Sequence, residues 1–320
     1  MHWREQLRSG FRDPAALLSH LNLPIRPAGG NTAFPMRVPQ AFVARMRPGD
    51  AADPLLRQVL PDPDEHRTTP GFETDPVGDL ASRSAPAVLH KYQGRALLMT
   101  TGACAVHCRY CFRQHYPYAG HTLSRQRWQA AMDYLATHPD IEEVILSGGD
   151  PLMLSTLRLE ALTRDLATIA GLRRLRIHTR MPVVLPDRVT DNLIRWLDRL
   201  PWPVIVVIHA NHPREFDPSV DQAIARLRAT GAHLLNQAVL MRGINDEPTT
   251  LIALMERGFR AGVLPYYLHL LDRVAGATRF EVEQDKACEL MAELRRQLPG
   301  YLVPRLVREQ RGAPCKLPLL

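Results

Sequence analysis

The sequence lacks the features that mark secreted, membrane and repeat proteins. Its first ten residues, MHWREQLRSG, contain no apolar signal segment, and no stretch approaches the roughly 18 uninterrupted apolar residues of a membrane-spanning helix. There is no low-complexity tract, no repeat, and no aromatic-basic motif of the kind that binds RNA. These absences predict a soluble cytoplasmic protein that has neither a membrane nor a nucleic-acid partner.

Composition allows one large domain with an appendage. The chain has 320 residues, of which 45% are apolar, enough for a substantial core. The formal net charge of +7 is mildly basic and favours acidic partners. The arginines are scattered rather than collected in blocks, so the charge by itself indicates no nucleic-acid surface.

Cysteine is scarce, yet three cysteines stand close together. Cys104, Cys108 and Cys111 lie in TGACAVHCRYCFRQHY with the spacing Cys-x3-Cys-x2-Cys. A cubane [4Fe–4S] cluster takes four ligands, so three cysteines would leave one iron without a protein ligand. An open coordination position is usually a reactive one. The spacing therefore predicts a catalytic iron–sulfur cluster.

Other chemistries are open to the same cysteines. A zinc site could be completed by His107 or His115, although no second Cys-x2-Cys knuckle exists because Cys288 and Cys315 are isolated. The cysteines could also be small buried hydrophobes. A disulfide is disfavoured, because three clustered cysteines leave one over and nothing in the sequence indicates an oxidising compartment.

A regular alternation of strands and helices begins near residue 96. Strand-like runs start about every thirty residues, and helical patterns follow at about 123–137, 155–169, 188–199, 219–229, 248–260 and 282–297. Near-continuous Val, Ile and Leu runs between helices are typical of buried parallel strands. The pattern predicts an α/β fold with an open, partial (β/α)6 barrel over 86–298. We expect an irregular, Pro-rich helical arm over 1–85 and a short C-terminal segment over 299–320.

A doubly wound open sheet would give the same alternation. The polar residues favour the barrel, because they fall at or just past the ends of many strands, and that rim carries the active site in parallel barrels. In a doubly wound sheet they should gather near one switch point. The strand-end residues are Gly148, Gly149, Asp150, His178, Arg180, His209, Asn211, Gln237 and Asp272.

Two glycines follow the second of these strands, in Ser147-Gly148-Gly149-Asp150-Pro151. Glycines allow a backbone to approach a ligand closely, and exposed N–H groups bind polar ligand atoms. Taken alone, the segment is equally an ordinary strand-to-helix turn. Its value as a signal comes from its occurrence together with the cysteine loop.

The order of motifs resembles one family. The cysteine run, SGGDPL, HANHP, LNQAVLMRGIND, PYYLHLLD and a terminal lysine recur in this order in the lysine 2,3-aminomutases, which are radical S-adenosylmethionine (SAM) enzymes. The resemblance covers about residues 86–320. It is strongest to the short, EpmB-type bacterial members, which make (R)-β-lysine for the modification of elongation factor P.

The resemblance implies three cofactors: a [4Fe–4S] cluster, SAM and pyridoxal 5′-phosphate (PLP). Lys316 matches the lysine that forms the internal aldimine with PLP, and Arg95 matches an arginine that binds the PLP phosphate, with Lys91 as a second contact. Ser147, Gly148, Gly149 and Asp150 match the segment that holds SAM. At the ends of later strands, His209, Asn211 and Gln237 match contacts to SAM or PLP. The loop before Lys316 departs from the family's run of glycines at Arg311, Ala313 and Cys315.

The resemblance also implies L-lysine as the substrate. Arg113 matches the residue that binds the substrate carboxylate, which suits a guanidinium because it offers two parallel hydrogen bonds. Asp272 and Glu309 match two carboxylates that receive the side-chain ammonium, with Glu replacing the family's Asp at 309. The implied partners are an electron donor and, through the product, elongation factor P and its lysyl ligase; a homodimer is compatible with the same resemblance.

Other functions fit part of this pattern. A radical SAM enzyme that modifies RNA or a peptide would need no PLP, but Lys316, Arg95 and the two carboxylates argue against it. An aminomutase acting on arginine fits the same residues. A zinc-stabilised binding protein would explain the cysteines alone. The whole pattern favours an isomerase that moves the amino group of L-lysine from C2 to C3.

Overall fold

The computed structural model describes residues 3–25, 29 and 33–319. A ten-stranded sheet carries the fold, and its strands follow one another in chain order from β1 to β10. Strands β3 to β9 run parallel to their neighbours, whereas β1, β2 and β10 pair antiparallel. The strands β1 to β10 are Arg83–Ala85, Val88–Tyr92, Arg95–Thr101, Glu143–Gly148, Arg174–Thr179, Val204–His209, His233–Val239, Leu264–His269, Arg305–Arg308 and Leu317–Pro318.

Each of the six parallel strands β3 to β8 is followed by a helix of two or more turns. The helices that follow them are α6, α7, α9, α10, α11 and α12, and six short 3-10 turns lie among the connections. The helices α1 to α12 are Trp3–Arg8, Pro14–His20, Gln40–Val43, Pro54–Arg57, Tyr118–His121, Arg125–Ala136, Thr156–Leu166, Met181–Val184, Asp191–Asp198, Pro218–Ala229, Pro248–Ala261 and Gln284–Gln297.

The strand order decides between the two predicted architectures. A doubly wound sheet reverses direction at a switch point, so its strands are not adjacent in chain order. Here the strands are sequential without a reversal, as in a partial barrel. The predicted partial (β/α)6 barrel is confirmed, and the doubly wound alternative is wrong.

Local sequence explains where the barrel helices begin and where one ends. Ser124, Ser155, Thr190 and Asp217 each accept a backbone hydrogen bond at a helix N-terminus, which satisfies one of the otherwise unpaired N–H groups there. Helix α11 ends at Gly262, whose φ of 94° lies in the left-handed region that glycine adopts without strain. These caps place the strand ends, and hence the barrel rim, in register.

The segment before the barrel packs on it. Residues 3–82 contain helices α1 to α4, and their side chains Leu17, Phe42 and Leu55 are fully buried in the same core as the barrel strands. Burial of this kind contributes about 25 cal/mol per Å² of apolar surface, so it is sufficient to hold the segment in place. Across the described residues, no helix combines the length and the apolar character that a bilayer crossing demands.

The sheet is open, and charged side chains join the two sides of the opening. Strands β1 and β10 form its two edges. Lys91 in β2 forms an ion pair with Glu309, which follows β9, at 2.9 Å. We refer to this joint between Lys91 and Glu309 as the seam of the barrel.

Candidate active site

A cavity of about 350 Å³ lies inside the barrel. It is lined by the cysteine loop, by inward-facing residues of β3 to β8, and by Asp79 from the N-terminal segment. Most of the predicted site residues line it: Cys104, Cys108, Cys111, Arg95, Arg113, Ser147, Gly148, Gly149, Asp150, His209, Gln237, Asp272, Glu309 and Lys316. Asn211 is not among them; it is buried, and its Nδ2 atom donates to Gln58 Oε1 at 3.0 Å and to the Tyr110 hydroxyl at 2.6 Å. Residues spread over more than 200 positions of the chain therefore meet at one place.

The cysteine loop is held in place by the N-terminal segment. Arg109 N donates to Gln58 O at 2.9 Å, and His107 N donates to Arg37 O at 3.0 Å. The guanidinium of Arg37 donates in turn to Cys104 O at 3.2 Å. The loop is thus tied by backbone contacts on both sides of Cys108, although it has no regular secondary structure of its own.

The three thiols suit a bound iron cluster. Burial raises the pKa of Cys104 well above its usual value and the pKa of Cys111 to about 12. Thiols in such surroundings stay neutral unless a cation stabilises the thiolate, and the iron of a cluster supplies that charge. All three line the same cavity, so the donor set fits a three-cysteine [4Fe–4S] cluster.

The histidines of the zinc alternative have other partners. The Nδ1 atom of His107 lies 2.6 Å from Pro35 O, and its ring stacks on Phe34 at 4.5 Å. His115 Nε2 lies 3.1 Å from Ala275 O. Among residues 3–25, 29 and 33–319, no group of three or more His, Cys, Asp or Glu side chains is placed to hold a single metal ion.

The two glycines at the end of β4 have a structural role in addition to the ligand contact predicted for them. A Cβ on Gly149 would lie 2.4 Å from Ala103 O, and one on Gly148 would lie 2.4 Å from Thr101 O. Gly149 N donates to Thr101 O at 2.6 Å, and Asp150 N donates to Ala103 O at 2.8 Å. The glycines therefore admit the backbone that leads into the cysteine loop, and they also line the cavity.

Asp150 joins two neighbouring strand ends. Its carboxylate accepts hydrogen bonds from Thr179 Oγ1 at 2.8 Å, Arg180 N at 2.8 Å and Leu152 N at 3.0 Å. Burial raises its pKa, and these donors act in the opposite direction. With its oxygens engaged by the protein, Asp150 fixes the rim between β4 and β5, so its predicted contact with SAM stays a prediction.

Among the cavity-lining residues, four buried polar atoms from neighbouring strands have no hydrogen-bond partner among the described residues. They are Nε2 of His178, His209 and His269 and Oε1 of Gln237, and they come from the consecutive strands β5 to β8. Buried polar groups are nearly always hydrogen-bonded, so unpartnered ones that line a cavity indicate a polar ligand. Burial lowers the pKa of His209 to about 3 and lowers those of His178 and His269 well below the usual value, which keeps all three imidazoles neutral.

A chain of alternating charges crosses the cavity wall. Arg113 pairs with Asp79 at 2.6 Å, and Asp79 also pairs with Lys91 at 2.6 Å. Lys91 pairs with Glu309 at 2.9 Å, and Glu309 pairs with Lys316 at 2.5 Å. The chain thus connects the arginine expected to bind the substrate carboxylate with the lysine expected to bind PLP.

Two carboxylates of the cavity, Glu309 and Asp272, differ in their affinity for protons. Burial alone would raise the pKa of Glu309, but Lys316 and Lys91 outweigh it and hold the pKa far below its usual range. Asp272 lies nearby without an ion pair among the described residues. Burial and the charge of Glu309 raise its pKa to about 7, against the opposing effect of Lys316 and Lys91.

Arg95 lies far from the cysteine loop along the same strand. It is the first residue of the seven-residue strand β3, and the loop follows the last one; at about 3.3 Å per residue the two are roughly 20 Å apart. Its guanidinium lies 4.8 Å from the ring centre of Tyr92 and forms no ion pair with a described carboxylate. This end of the cavity can accept an anion, and Arg176 from β5 lines it as well.

Several residues of the site were not assigned from the sequence. His178 and Arg180 were noted only as strand-end polar residues, and Asp79 and His269 were not singled out. One usable signal was composition, because Lys91, Lys286 and Lys316 are the only lysines in the chain. Two of these three line the cavity. Asp79 has no local signal, since it lies in a Pro- and Gly-rich stretch whose contacts are set by the tertiary fold.

Comparison with known proteins agrees with this geometry. The family model of the Radical SAM superfamily matches residues 98–255. The L-lysine 2,3-aminomutase of Escherichia coli (strain K12) is 47% identical over 99% of this chain and 94% of that protein. The corresponding enzyme of Haemophilus influenzae is 43% identical over 98% of this chain and 94% of that protein.

More distant proteins extend the comparison. The L-lysine 2,3-aminomutase of Clostridium subterminale is 30% identical over 99% of this chain and 77% of that protein. A radical SAM methyltransferase structure from Sphaerobacter thermophilus aligns with a TM-score of 0.48 and 16% identity, over 69% of this chain and 68% of that one. The identity to the first two relatives spans nearly the whole of each chain, so the protein belongs to the lysine 2,3-aminomutase family of radical SAM enzymes.

Proposed function

We propose that the protein is an L-lysine 2,3-aminomutase that moves the amino group of lysine from C2 to C3 and yields (R)-β-lysine. The observation that carries the proposal is the charge distribution of a single cavity. Arg113 lines this cavity together with two carboxylates, Asp272 and Glu309, and with the three cysteines and Lys316. That set matches a substrate with one carboxylate, one distant ammonium and one amine to be moved.

The residues divide the work of holding the cofactors. Cys104, Cys108 and Cys111 would hold the cluster, and Lys316 would hold PLP through its amine while Arg95 binds the phosphate. SAM would contact the backbone of Gly148 and Gly149 together with Ser147, Asp150, His209 and Gln237. When bound, the cluster and SAM supply the one-electron chemistry that removes and returns a hydrogen atom, and PLP supplies the aldehyde that carries the amino group.

Lys316 and the substrate ammonium compete for the same carboxylate. In the structure, Glu309 is occupied by Lys316 at 2.5 Å and by Lys91 at 2.9 Å. With PLP held by the amine of Lys316, that amine would no longer pair with Glu309, and one oxygen of Glu309 would be open to another cation. Glu309 and Asp272 then face a pocket that is short of one cation, which the side-chain ammonium of lysine supplies.

Arg113 is oriented for its part by protein contacts. Its Nε atom donates to Asp79 at 2.6 Å, and Nη1 lies 3.4 Å from Ser147 Oγ. The remaining N–H groups of the fork are left for a substrate carboxylate. Because Asp79 is buried, the orientation of Arg113 is fixed before the substrate arrives.

An anaerobic assay tests the proposal. The protein is reconstituted with iron and sulfide and given SAM, PLP, dithionite and L-lysine, and the products are resolved by chiral mass spectrometry. We expect (R)-β-lysine, and with L-arginine in place of lysine we expect little or no β-amino acid. Turnover of arginine but not of lysine would contradict the substrate assignment, and failure to form a cluster would contradict the function itself.

We further propose that the product serves to modify elongation factor P. The support is the resemblance to the short bacterial members of the family. A lysyl ligase incubated with elongation factor P and the enzymatic product should add one β-lysine residue to the factor. A ligase that prefers L-lysine over the product by intact-protein mass spectrometry would argue against this role.

A further inference from the structure

One of the three cysteines is in contact with a charged side chain. The guanidinium of Arg180 donates through Nη1 to Cys108 Sγ at 2.7 Å. Arg180 directly follows strand β5, and only 5% of its surface is exposed. An arginine cannot lose its charge in a protein, so a permanent positive charge is fixed against this sulfur.

Contacts on the far side of the guanidinium hold it in this position. Arg180 Nη2 donates to Gln58 Oε1 at 2.6 Å and to Glu215 Oε2 at 2.9 Å. The guanidinium also lies 5.3 Å from the ring centre of Phe42 and 5.7 Å from that of Tyr110. A planar guanidinium with hydrogen bonds at both terminal nitrogens has little freedom to turn away from the sulfur.

The supporting residues are themselves fixed. Gln58 and Glu215 are fully buried, and Gln58 Nε2 donates to Glu215 Oε1 at 3.0 Å. The same oxygen accepts from Asn211 N at 2.9 Å, and Asn211 Nδ2 donates to Gln58 Oε1 at 3.0 Å. Three distant parts of the chain thus converge on one guanidinium.

Stability alone is a weak reason for such an arrangement. Removing two charges from water is costly, and replacing a buried ion pair with apolar residues is often neutral or stabilising. The network instead ends on the sulfur of Cys108, at the wall of the cavity. Because burying Arg180 and Glu215 costs free energy, the arrangement is consistent with a functional role of Arg180 at the Cys108 sulfur.

We propose that Arg180 is a positioning residue that raises the reduction potential of the cluster by holding its positive charge against Cys108. Reduction adds one electron, delivered by an external one-electron carrier, and leaves the bond between Cys108 and iron intact. The reduced cluster carries one more negative charge than the oxidised one. A fixed cation in a poorly solvated site therefore stabilises the reduced form more.

The chain offers a matched control. Arg188 is also fully buried, but it donates to the backbone oxygens of Leu152 at 2.6 Å and Leu154 at 3.0 Å. Its guanidinium contacts no cysteine among the described residues. Loss of Arg188 removes a buried arginine without removing a charge from the cluster sulfur.

Redox titration of the reconstituted protein, followed by the electron paramagnetic resonance signal of the reduced cluster, tests the inference. Arg180→Gln should shift the equilibrium towards the oxidised cluster about tenfold, which is 59 mV for a one-electron couple. Arg180→Lys keeps a charge but cannot make all the contacts, so its potential should lie between those of Arg180→Gln and the wild type. Arg188→Gln should leave the potential unchanged.

The other possible results would overturn either this inference or the proposed function. A wild-type potential in Arg180→Gln, or an equal shift in Arg188→Gln, overturns the inference. If Arg180→Gln holds no cluster, Arg180→Lys decides, and a potential equal to or above that of the wild type overturns it. The inference rests on the proposed function only through the three-cysteine cluster, so a wild-type protein that forms no cluster would overturn the proposed function instead.

Discussion

At the residue scale, the charged side chains of the cavity differ in whether they have an ion-pair partner. Glu309 is shared by Lys91 and Lys316, whereas Asp272 has no ion-pair partner among the described residues. The two carboxyl groups therefore lose their protons in different pH ranges, since the pKa of Glu309 is lowered and that of Asp272 is raised. This difference yields separate tests of Lys316 and Asp272.

Lys316 should be the site of covalent PLP attachment. We expect borohydride reduction of the PLP-loaded protein to leave a stable label on Lys316, mapped by peptide mass spectrometry. Lys316→Ala should lose this label and the associated visible absorbance, because the other lysine of the cavity, Lys91, is engaged by Asp79 and Glu309. Lys286→Ala, at an exposed lysine of α12, serves as the control and should keep both. Label retained in Lys316→Ala would reject the assignment.

Asp272 should give kcat/KM for lysine a dependence on pH. Its pKa is about 7 in the empty protein, and loss of the Lys316 charge would move it higher. The carboxylate is then protonated at low pH and cannot hold an ammonium, so kcat/KM should rise as the pH increases through 7 and above.

Asp272→Asn should remove that rise and reduce kcat/KM for lysine tenfold to hundredfold, in line with about 1.5–3 kcal/mol for a hydrogen bond to a charged group. SAM cleavage without lysine should change far less. Asp285→Asn, at an exposed position of α12, is the control. Equal losses of lysine turnover and SAM cleavage would argue against substrate recognition by Asp272.

Which residues the sequence could reveal depended on local patterns. The three cysteines have a diagnostic spacing, and Lys316, Arg113 and Asp272 lie in or next to short sequence motifs that can be recognised without the structure. Asp79 has no such pattern, because it lies in an irregular stretch, whereas His269 lies within PYYLHLLD but is not marked there as a site residue by its residue type alone. Only the folded chain places Asp79 against Arg113.

At the element scale, the end of β4 and the cysteine loop act as one unit. The backbone contacts of Gly149 and Asp150 with Thr101 and Ala103 hold the loop against the barrel rim. The position of the thiols thus depends on the absence of side chains at residues 148 and 149. A small substitution at either glycine should therefore displace the cysteine loop and weaken binding of the cluster.

Gly149→Ala should destabilise the protein by about 1–3 kcal/mol, the usual cost of overpacking. The added Cβ would lie 2.4 Å from Ala103 O, which is backbone and cannot turn away. Gly300→Ala is the control, because a Cβ there meets nothing within 4 Å. Urea unfolding gives the stability, and iron content after reconstitution should fall in Gly149→Ala. Wild-type values in both measurements would contradict the account.

The barrel elements could be predicted because their signals are repeated and strong. The six helices lie within a few residues of their expected bounds, and the strands lie between them as expected. The clearest strand, Val204–His209, is a run of Val and Ile. The hairpin of β1 and β2 and the short strands β9 and β10 were not expected. These strands are short or rich in polar residues, and their pairing is decided by the sheet they join. The boundaries placed at residues 85 and 298 stay predictions.

At the scale of the whole molecule, three histidines are buried inside the barrel with neutral imidazoles. Burial lowers the pKa of His178, His209 and His269. In the unfolded chain these histidines bind protons below about pH 6.5, whereas in the folded protein they resist protonation. The unfolded state then binds more protons, so the free energy of unfolding should fall as the pH drops below that value.

Asp272 opposes this trend between its unfolded value and about pH 7, because there the folded state holds the extra proton. For these four groups together, the effect should be a loss of stability corresponding to roughly two protons, each worth about 1.4 kcal/mol per pH unit. Urea unfolding of the empty protein at pH 7.5, 6 and 5 measures the slope. His178→Gln should reduce the slope of the free energy of unfolding against pH by the equivalent of about one proton. Stability that is flat or that rises towards pH 5 would contradict the burial of neutral imidazoles.

The seam gives the barrel a place that can part. Around the rest of the ring, neighbouring strands are joined by backbone hydrogen bonds, so a gap there would require two strands to unzip. At the seam, Lys91 and Glu309 hold the two sides together through ions at the ends of side chains. Rotation of one of these side chains would widen the joint without breaking any backbone hydrogen bond between strands.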